Sequence, residues 1–352
     1  MYQPQFIHHK DIKLSEKTRN LLKQANEIYL KNFSNTIWYG RCIFFSWFCK
    51  KATCTFCYRS TLKHKIAHQK NHHRSIGSML SEALLCKELG WRIEFLTGGY
   101  QEDNVFNDIV LYAKLITKVY GEKIWVNIGW MTKEQVEQLR PYIKGICASI
   151  ETPTPHLHKQ VCPDKPIKPY ENMFANASDV KKSAAFIVGL GDTDEDFQYW
   201  VDFIQKQKLD RITVYALKPI KGGAFTQGPT SDQYLQWLAK LRIAFPKLEI
   251  IGGTNLRRSE EVGYMIRAGV NAITKFPATK QFATKKAHKI TDLITEQDRI
   301  FTSNLTTLPP INWDEKIDQL DIEPEYKKQL KETFPVYLKQ LQNPQDIDSC
   351  ME

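Results

Sequence analysis

Three cysteines within nine positions carry the most pointed chemistry in this chain: Cys49-Lys-Lys-Ala-Thr-Cys54-Thr-Phe-Cys57-Tyr58. Three thiolates can hold three irons of a cubane 4Fe–4S cluster and leave the fourth iron open to a small molecule. Closing that iron would take a fourth cysteine, and the next one, Cys86, lies in a stretch with helical periodicity. Zinc is the competing reading. Cys54-x2-Cys57 followed by His64-x3-His68 imitates a Cys₂His₂ finger, but the intervening gap is shorter than the usual ~12–15 residues, and Cys49 would stand idle. His64, His68, His72 and His73 read better as a polar helical face. Of the eight cysteines, Cys42, Cys86, Cys147, Cys162 and Cys350 are scattered. A secreted disulfide framework would space its cysteines through a small chain. Buried free cysteine, a small hydrophobe, is the ordinary role for Cys42, Cys86 and Cys147.

The elements around the motif repeat. An apolar run at 41–47 reads as a first strand, and the cysteines follow it in a long basic loop. Further strands are expected at 92–97, 123–128, 145–150, 183–190, 211–217, 248–253 and 270–276, with helical patterns between them. One of these, 75–90, has Ser75 as N-cap and Gly90 as stop. Eight apolar strands alternating with helices predict an α/β fold, a TIM-type (β/α)₈ barrel. Helical N- and C-terminal extensions flank it: 1–38, the barrel at 39–285, then 286–352 as a helical cap over one barrel end. In such a barrel a loop after strand one lies at the C-terminal face, where active sites form.

The chain has 352 residues and a net charge of +10. A basic balance suits acidic partners or phosphates, and a zinc-dependent RNA-binding module is the reading of a different class that it permits; nucleic acid is otherwise not expected. No apolar run approaches the ~20 residues that span a bilayer. The N-terminus lacks the apolar core of a signal peptide. A cytoplasmic protein with no membrane role is the expectation.

Cys-x4-Cys-x2-Cys followed by tyrosine after strand one resembles the radical S-adenosylmethionine (radical SAM) superfamily. Its usual spacing, Cys-x3-Cys-x2-Cys, is one residue shorter. The resemblance continues in TGGY, Thr97 to Tyr100, at the end of strand two, where the family sets a Gly-Gly pair against the methionine amino group. Glu151 in SIETPTP resembles the polar residue that contacts SAM in biotin-synthase-like members. IVGLGDTDED, 187–196, resembles the glycine-containing strand beside the adenine, and residues 258–282 resemble the later part of the biotin-synthase-like branch. That branch includes archaeal-type lipoyl synthase subunits and [Fe]-hydrogenase cofactor biosynthesis proteins.

The resemblance implies a 4Fe–4S cluster on Cys49, Cys54 and Cys57, with SAM on its open iron. Phe56 and Tyr58 would pack near cluster or adenine, Gly98, Gly99 and Glu151 would contact SAM, and Val188 and Gly189 would lie along the adenine. It implies reductive cleavage of SAM to a 5′-deoxyadenosyl radical, used in cofactor biosynthesis, with sulfur insertion of the lipoyl synthase type preferred. A [Fe]-hydrogenase cofactor step, or another rearrangement or methylation, is the alternative. Biotin synthase itself is disfavoured, because Leu96, Val126, Asn127 and Ser183 stand where its second cluster would need cysteines. A second iron–sulfur cluster would have to draw on the five scattered cysteines, with Cys162 and Cys350 its most plausible start. Cys42 and Cys147 are expected on opposite sides of the barrel. Implied partners are a ferredoxin- or flavodoxin-type electron donor and an acidic carrier protein or second synthase subunit.

Overall fold

The computed structural model describes residues 12–62, 73–101, 103–177 and 179–344. The chain enters through α1 (Glu16–Asn32), capped by Ser15, whose hydroxyl accepts the Thr18 N–H. Parallel strands and helices then alternate. The strands are β1 (Thr36–Phe44), β2 (Arg92–Thr97), β3 (Ile124–Asn127), β4 (Ile143–Glu151), β5 (Lys181–Val188), β6 (Arg211–Ala216), β7 (Glu249–Gly253) and β8 (Ala272–Thr274). The connecting helices are α2 (Tyr58–Thr61), α3 (Ile76–Glu88), α4 (Phe106–Tyr120), α5 (Lys133–Leu139), α6 (Pro155–Val161), α7 (Lys168–Asn176), α8 (Phe197–Gln207), α9 (Ser231–Ala244) and α10 (Val262–Arg267). Then come α11 (Lys285–Thr295), β9 (Ile300–Phe301), α12 (Trp313–Asp318) and α13 (Pro324–Gln342).

Sheet order runs β2 to β8 in sequence, then β1, which returns to β2. The eight strands therefore close into the expected barrel, with their C-terminal ends on one face. The predicted cap and stop of α3 hold: Ser75 accepts the Ser78 N–H, and Gly90 takes a positive φ of 66°.

Three differences matter for function. β1 begins at Thr36, earlier than the apolar run, because its first half buries Trp38 and Tyr39 on alternate faces. The C-terminal extension is a flank, not a cap: α13 packs on α3, and β9 pairs with the start of β1. The seam between β1 and β8 is also short, only Trp38–Ala272, Tyr39–Ile273 and Gly40–Thr274. Beyond it β1 continues alongside β2 to Phe44, while β8 stops and Lys275 turns away with φ 71°.

The barrel interior is filled, as small parallel barrels are. Trp38, Ile251 and Ala272 occupy the N-terminal half. Cys42, Phe95, Trp125, Cys147 and Ala185 form a layer nearer the mouth. Cys42 and Cys147 thus share one cluster in the lumen, because a narrow barrel brings inward side chains of opposite strands together. Glu94, fully buried, accepts from Thr213 Oγ1 (3.1 Å), Tyr215 Oη (2.9 Å), Cys42 Sγ (3.1 Å) and Thr274 Oγ1. No helix among the described residues is long and apolar enough to cross a membrane.

Candidate active site at the barrel mouth

The loop carrying the three cysteines leaves the C-terminal end of β1 and is tied to its surroundings on two sides. On the β2 side, the Lys50 N–H donates to Tyr100 O (2.7 Å), and Gln101 Nε2 donates to Phe48 O and Gly99 O. On the other side, the Thr55 N–H donates to Val161 O at the end of α6, and the Ala224 N–H donates to Thr55 O. Arg59 fastens the exit of the loop to the carbonyls of Ser46 and Trp47.

Gly99 shows why a glycine stands at this turn. A Cβ on it would lie 2.0 Å from Phe48 O and 2.5 Å from Cys49 Cβ. Only glycine lets the end of β2 press against the cysteine loop. At Gly98 of the same turn, a side chain is excluded by the Phe45 ring at 2.6 Å.

Cys49, Cys54 and Cys57 are all half-buried free thiols. Cys49 Sγ accepts two backbone N–H groups, from Tyr100 (3.3 Å) and Ala52 (3.4 Å), the kind of donor that favours sulfur anions. A hydrogen bond from Cys162 lowers the Cys54 thiol to about 7, against the opposing effect of burial. Burial raises Cys57. Cys162 lies on the far side of Cys54, in an apolar cluster with Val161, Ile187, Leu190 and Leu217, against which Cys54 and Phe56 pack.

Glu151, at the end of β4, is buried and holds a left-handed φ of 69°. Such a conformation costs energy and collects at functional sites. Its Oε1 accepts Lys165 Nζ at 2.7 Å in a buried ion pair. His158 fixes the Lys165 segment by placing its ring between the carbonyls of Thr152 and Lys165. Lys165 and Glu151 act electrostatically on Cys54, and Glu151 on Cys57, so the pair belongs to the same site.

At the end of β5 the packing is more ordinary. Val188 faces the core, and its carbonyl accepts the Leu217 N–H. Ile187 is the residue that packs with the Phe56 cluster. Gly189 has a φ of 104°, and a Cβ there would meet Pro229 at 2.7 Å. The sequence-selected residues therefore gather at one end of the barrel. Lys165 was not foreseen, because its sequence context, a proline-rich stretch, showed no periodicity; Cys162, expected to start a second cluster, lies instead beside Cys54.

These residues fit a thiolate-held cluster with an adjacent ligand. Three thiols converge on one loop with backbone donors aimed at sulfur, and two buried polar atoms beside them, Tyr58 Oη and Gln101 Oε1, have no hydrogen-bond partner. The described residues hold no group of three His, Cys, Asp or Glu suited to a single ion. A cubane differs in that each thiolate meets its own iron. His64 and His68 of the zinc reading, together with His72 and Cys350, lie outside the described residues.

Comparison with known proteins defines the class. The radical SAM superfamily matches residues 43–204, and the biotin and thiamin synthesis associated domain matches 213–299. The chain belongs to the radical SAM superfamily, which sets aside the zinc-dependent RNA-binding reading. A protein of Methanocaldococcus jannaschii with no assigned function is 33% identical over 290 residues, 81% of this chain and 79% of its own. The ribosomal protein uS12 methylthiotransferase RimO of Aeromonas salmonicida is 22% identical over 203 residues, 50% of this chain and 44% of that protein. Among solved structures, methylornithine synthase (PylB) aligns with a TM-score of 0.64 at 20% identity, over 75% of this chain and 79% of that one. The FeFe-hydrogenase maturase HydG from Carboxydothermus hydrogenoformans aligns with a TM-score of 0.64 at 17% identity, over 94% and 84%. Both show the same barrel.

Proposed function

We propose that this radical SAM enzyme works in cofactor assembly, by sulfur insertion of the lipoyl synthase type with the sulfur supplied from outside the chain. The observation that carries the radical site is the loop of Cys49, Cys54 and Cys57, held against the glycine end of β2 at the barrel mouth. Bound there, a 4Fe–4S cluster and SAM would supply one-electron cleavage of a sulfonium and the radical that takes a substrate hydrogen atom.

The chain's own residues divide the remaining work. Cys49, Cys54 and Cys57 would hold the irons. The backbone at Gly98–Gly99 and the Glu151–Lys165 pair would meet the amino and carboxylate groups of methionine. Phe56 and Ile187 would flank the adenine. The filled layer of Phe95, Trp125 and Cys147 keeps water from rising through the barrel.

Likeness to methylthiotransferases over half the chain supports the sulfur reading. An external sulfur source fits the other described cysteines: Cys86 is on the buried face of α3, Cys42 and Cys147 are in the lumen, and Cys162 is beside Cys54. That source would be a second synthase subunit. An acidic carrier bearing the acyl chain would suit the net charge of +10, and a ferredoxin or flavodoxin would supply electrons, in the cytoplasm. The same dispersal of cysteines equally favours the second reading, a rearrangement, a methylation or a [Fe]-hydrogenase cofactor step.

Two measurements test the reading. Anaerobic reconstitution is expected to give about four irons per chain; about eight would mean a second cubane in the chain itself and remove the external source. With a carrier bearing a perdeuterated octanoyl group, deuterium should appear in 5′-deoxyadenosine. SAM cleavage without that transfer would move the assignment to the second reading.

A further inference from the structure

The split between β1 and β8 opens a cleft of about 680 Å³ on the flank of the barrel. Its floor is the seam itself, where Cys42 and Thr274 look into the lumen; its outer wall is α13, with Val336 and Tyr337. Because Cys42 also belongs to the lumen layer, the floor of the cleft backs directly onto the filled barrel interior.

The charges facing the cleft are unequal. Arg41, Arg74, Lys275 and Lys280 line it against one carboxylate, Glu82. Glu82 is already taken: it is bonded to Arg41 (3.1 Å) and Arg74 (2.9 Å). Among the described residues Lys275 reaches only Cys42 Sγ at 4.0 Å and the rings of Phe44 and Tyr215. Among the described residues neither Lys275 nor Lys280 meets a carboxylate, and both are exposed. A surplus of cations in a concave site concentrates anions.

Apolar surface adjoins these cations. Phe44 and Trp47 stack at 4.9 Å. Trp47 and Val336 are among the few large hydrophobic side chains left exposed, at 40% and 56%. Thr279 supplies an independent sign of a ligand. It is 4% exposed and lines the cleft, and its Oγ1 has no hydrogen-bond partner. A buried hydroxyl left unpaired is costly, and a bound acceptor is the ordinary remedy.

We propose that this cleft binds an organic anion with an apolar body, a carboxylate or a phosphate. The anionic head sits with Lys275, Lys280 and the Thr279 hydroxyl; the apolar body lies along Phe44 and Trp47. The proposal stands on the cleft alone and does not depend on the radical reading.

Octanoate, octyl phosphate, octylammonium and octanol serve as probes in anaerobic titration of the reconstituted holoenzyme, followed by calorimetry and by Trp47 fluorescence with Trp47→Phe as reference. At least one of the two anions should bind at one per chain, at least tenfold tighter than octylammonium or octanol. Which of the two binds identifies the head group. Lys275→Ala and Lys280→Ala should each weaken the anion several-fold and together at least tenfold; Val336→Trp should block it. Thr279→Val should raise the melting temperature without ligand and still weaken binding, a pairing that a purely structural role would not give. Equal binding of all four probes, or anion binding indifferent to these substitutions, overturns the proposal. A holoenzyme that cleaves SAM but binds neither anion also overturns it and leaves the radical reading standing. One that binds octanoate but never cleaves SAM removes the radical reading and keeps the cleft.

Discussion

Gly99→Ala tests how closely the end of β2 and the cysteine loop must approach. The new methyl would stand 2.0 Å from Phe48 O, 2.5 Å from Cys49 Cβ and 2.8 Å from Cys49 Cα. None of these atoms can swing aside as a long side chain would, so the two segments must part by about 1.4 Å to restore ordinary contact. Overpacking of this kind costs about 1–3 kcal/mol. The parting also strains three bonds: Tyr100 N–H to Cys49 Sγ, Lys50 N–H to Tyr100 O, and Gln101 Nε2 to Phe48 O. Each is worth about 1 kcal/mol. The expected local loss is therefore about 2–5 kcal/mol, concentrated on the loop that sets Cys49 relative to Cys54 and Cys57. Iron per chain after anaerobic reconstitution, the signal of the reduced cluster in electron paramagnetic resonance, and SAM affinity report it. Iron loading should fall below half and SAM affinity at least tenfold. Gly121→Ala is the control: it sits at φ 90° with nothing nearer than Lys87 Nζ at 3.8 Å. It should cost about 1–2 kcal/mol of stability and leave iron unchanged. Wild-type iron and SAM affinity in Gly99→Ala would refute the argument.

Lys165→Met leaves Glu151 as a buried carboxylate without its partner and should cost about 3–5 kcal/mol in urea unfolding, while adding Glu151→Gln should recover much of it; a loss below about 1 kcal/mol, as for an exposed pair, would contradict the buried geometry. Cys162→Ala should keep all the iron but shift the cluster's midpoint potential downward, because a donor to the Cys54 sulfur is removed; loss of iron would instead make Cys162 a ligand. Burial raises the pKa of Asp192, whose Oδ1 accepts from Thr152, Thr154 and Trp200 while Oδ2 has no partner. With the folded value above the unfolded one, its contribution to stability is full below about pH 3.9 and is lost as pH rises through the folded value. Asp192→Asn should flatten that part of the stability-against-pH curve, and an unchanged curve would show that Asp192 does not titrate there.

The barrel was legible because helix and strand periods alternate eight times, and the cysteine loop because its spacing is local. What lay beyond reach depended on residues far apart in sequence. Glu94 sits in the middle of the strand RIEFLT, where a charge is itself a signal, but its partners Thr213, Tyr215 and Thr274 come from strands more than a hundred positions away. Cys42 and Cys147 meet because inward side chains share a narrow lumen, which spacing along the chain does not reveal. Lys165 lies among prolines, where no periodicity marks a side chain as buried. The start of β1 was missed for the opposite reason: TIWYG mixes apolar and small residues, and its pairing with β8 and β9 decides its state more than its own composition does.

The β1–β8 seam also sets an order of assembly. It joins Gly40 to Thr274, positions 234 apart in sequence, and contacts of that separation form late. At ~5–20 residues per second of synthesis, roughly 10–50 s pass between the emergence of the two partners. Through that interval β1 and its cysteine loop have β2 beside them but no closing strand, and the lumen stays open along its whole side. Iron delivery during translation would meet a more accessible cysteine loop than the one the finished barrel partly buries.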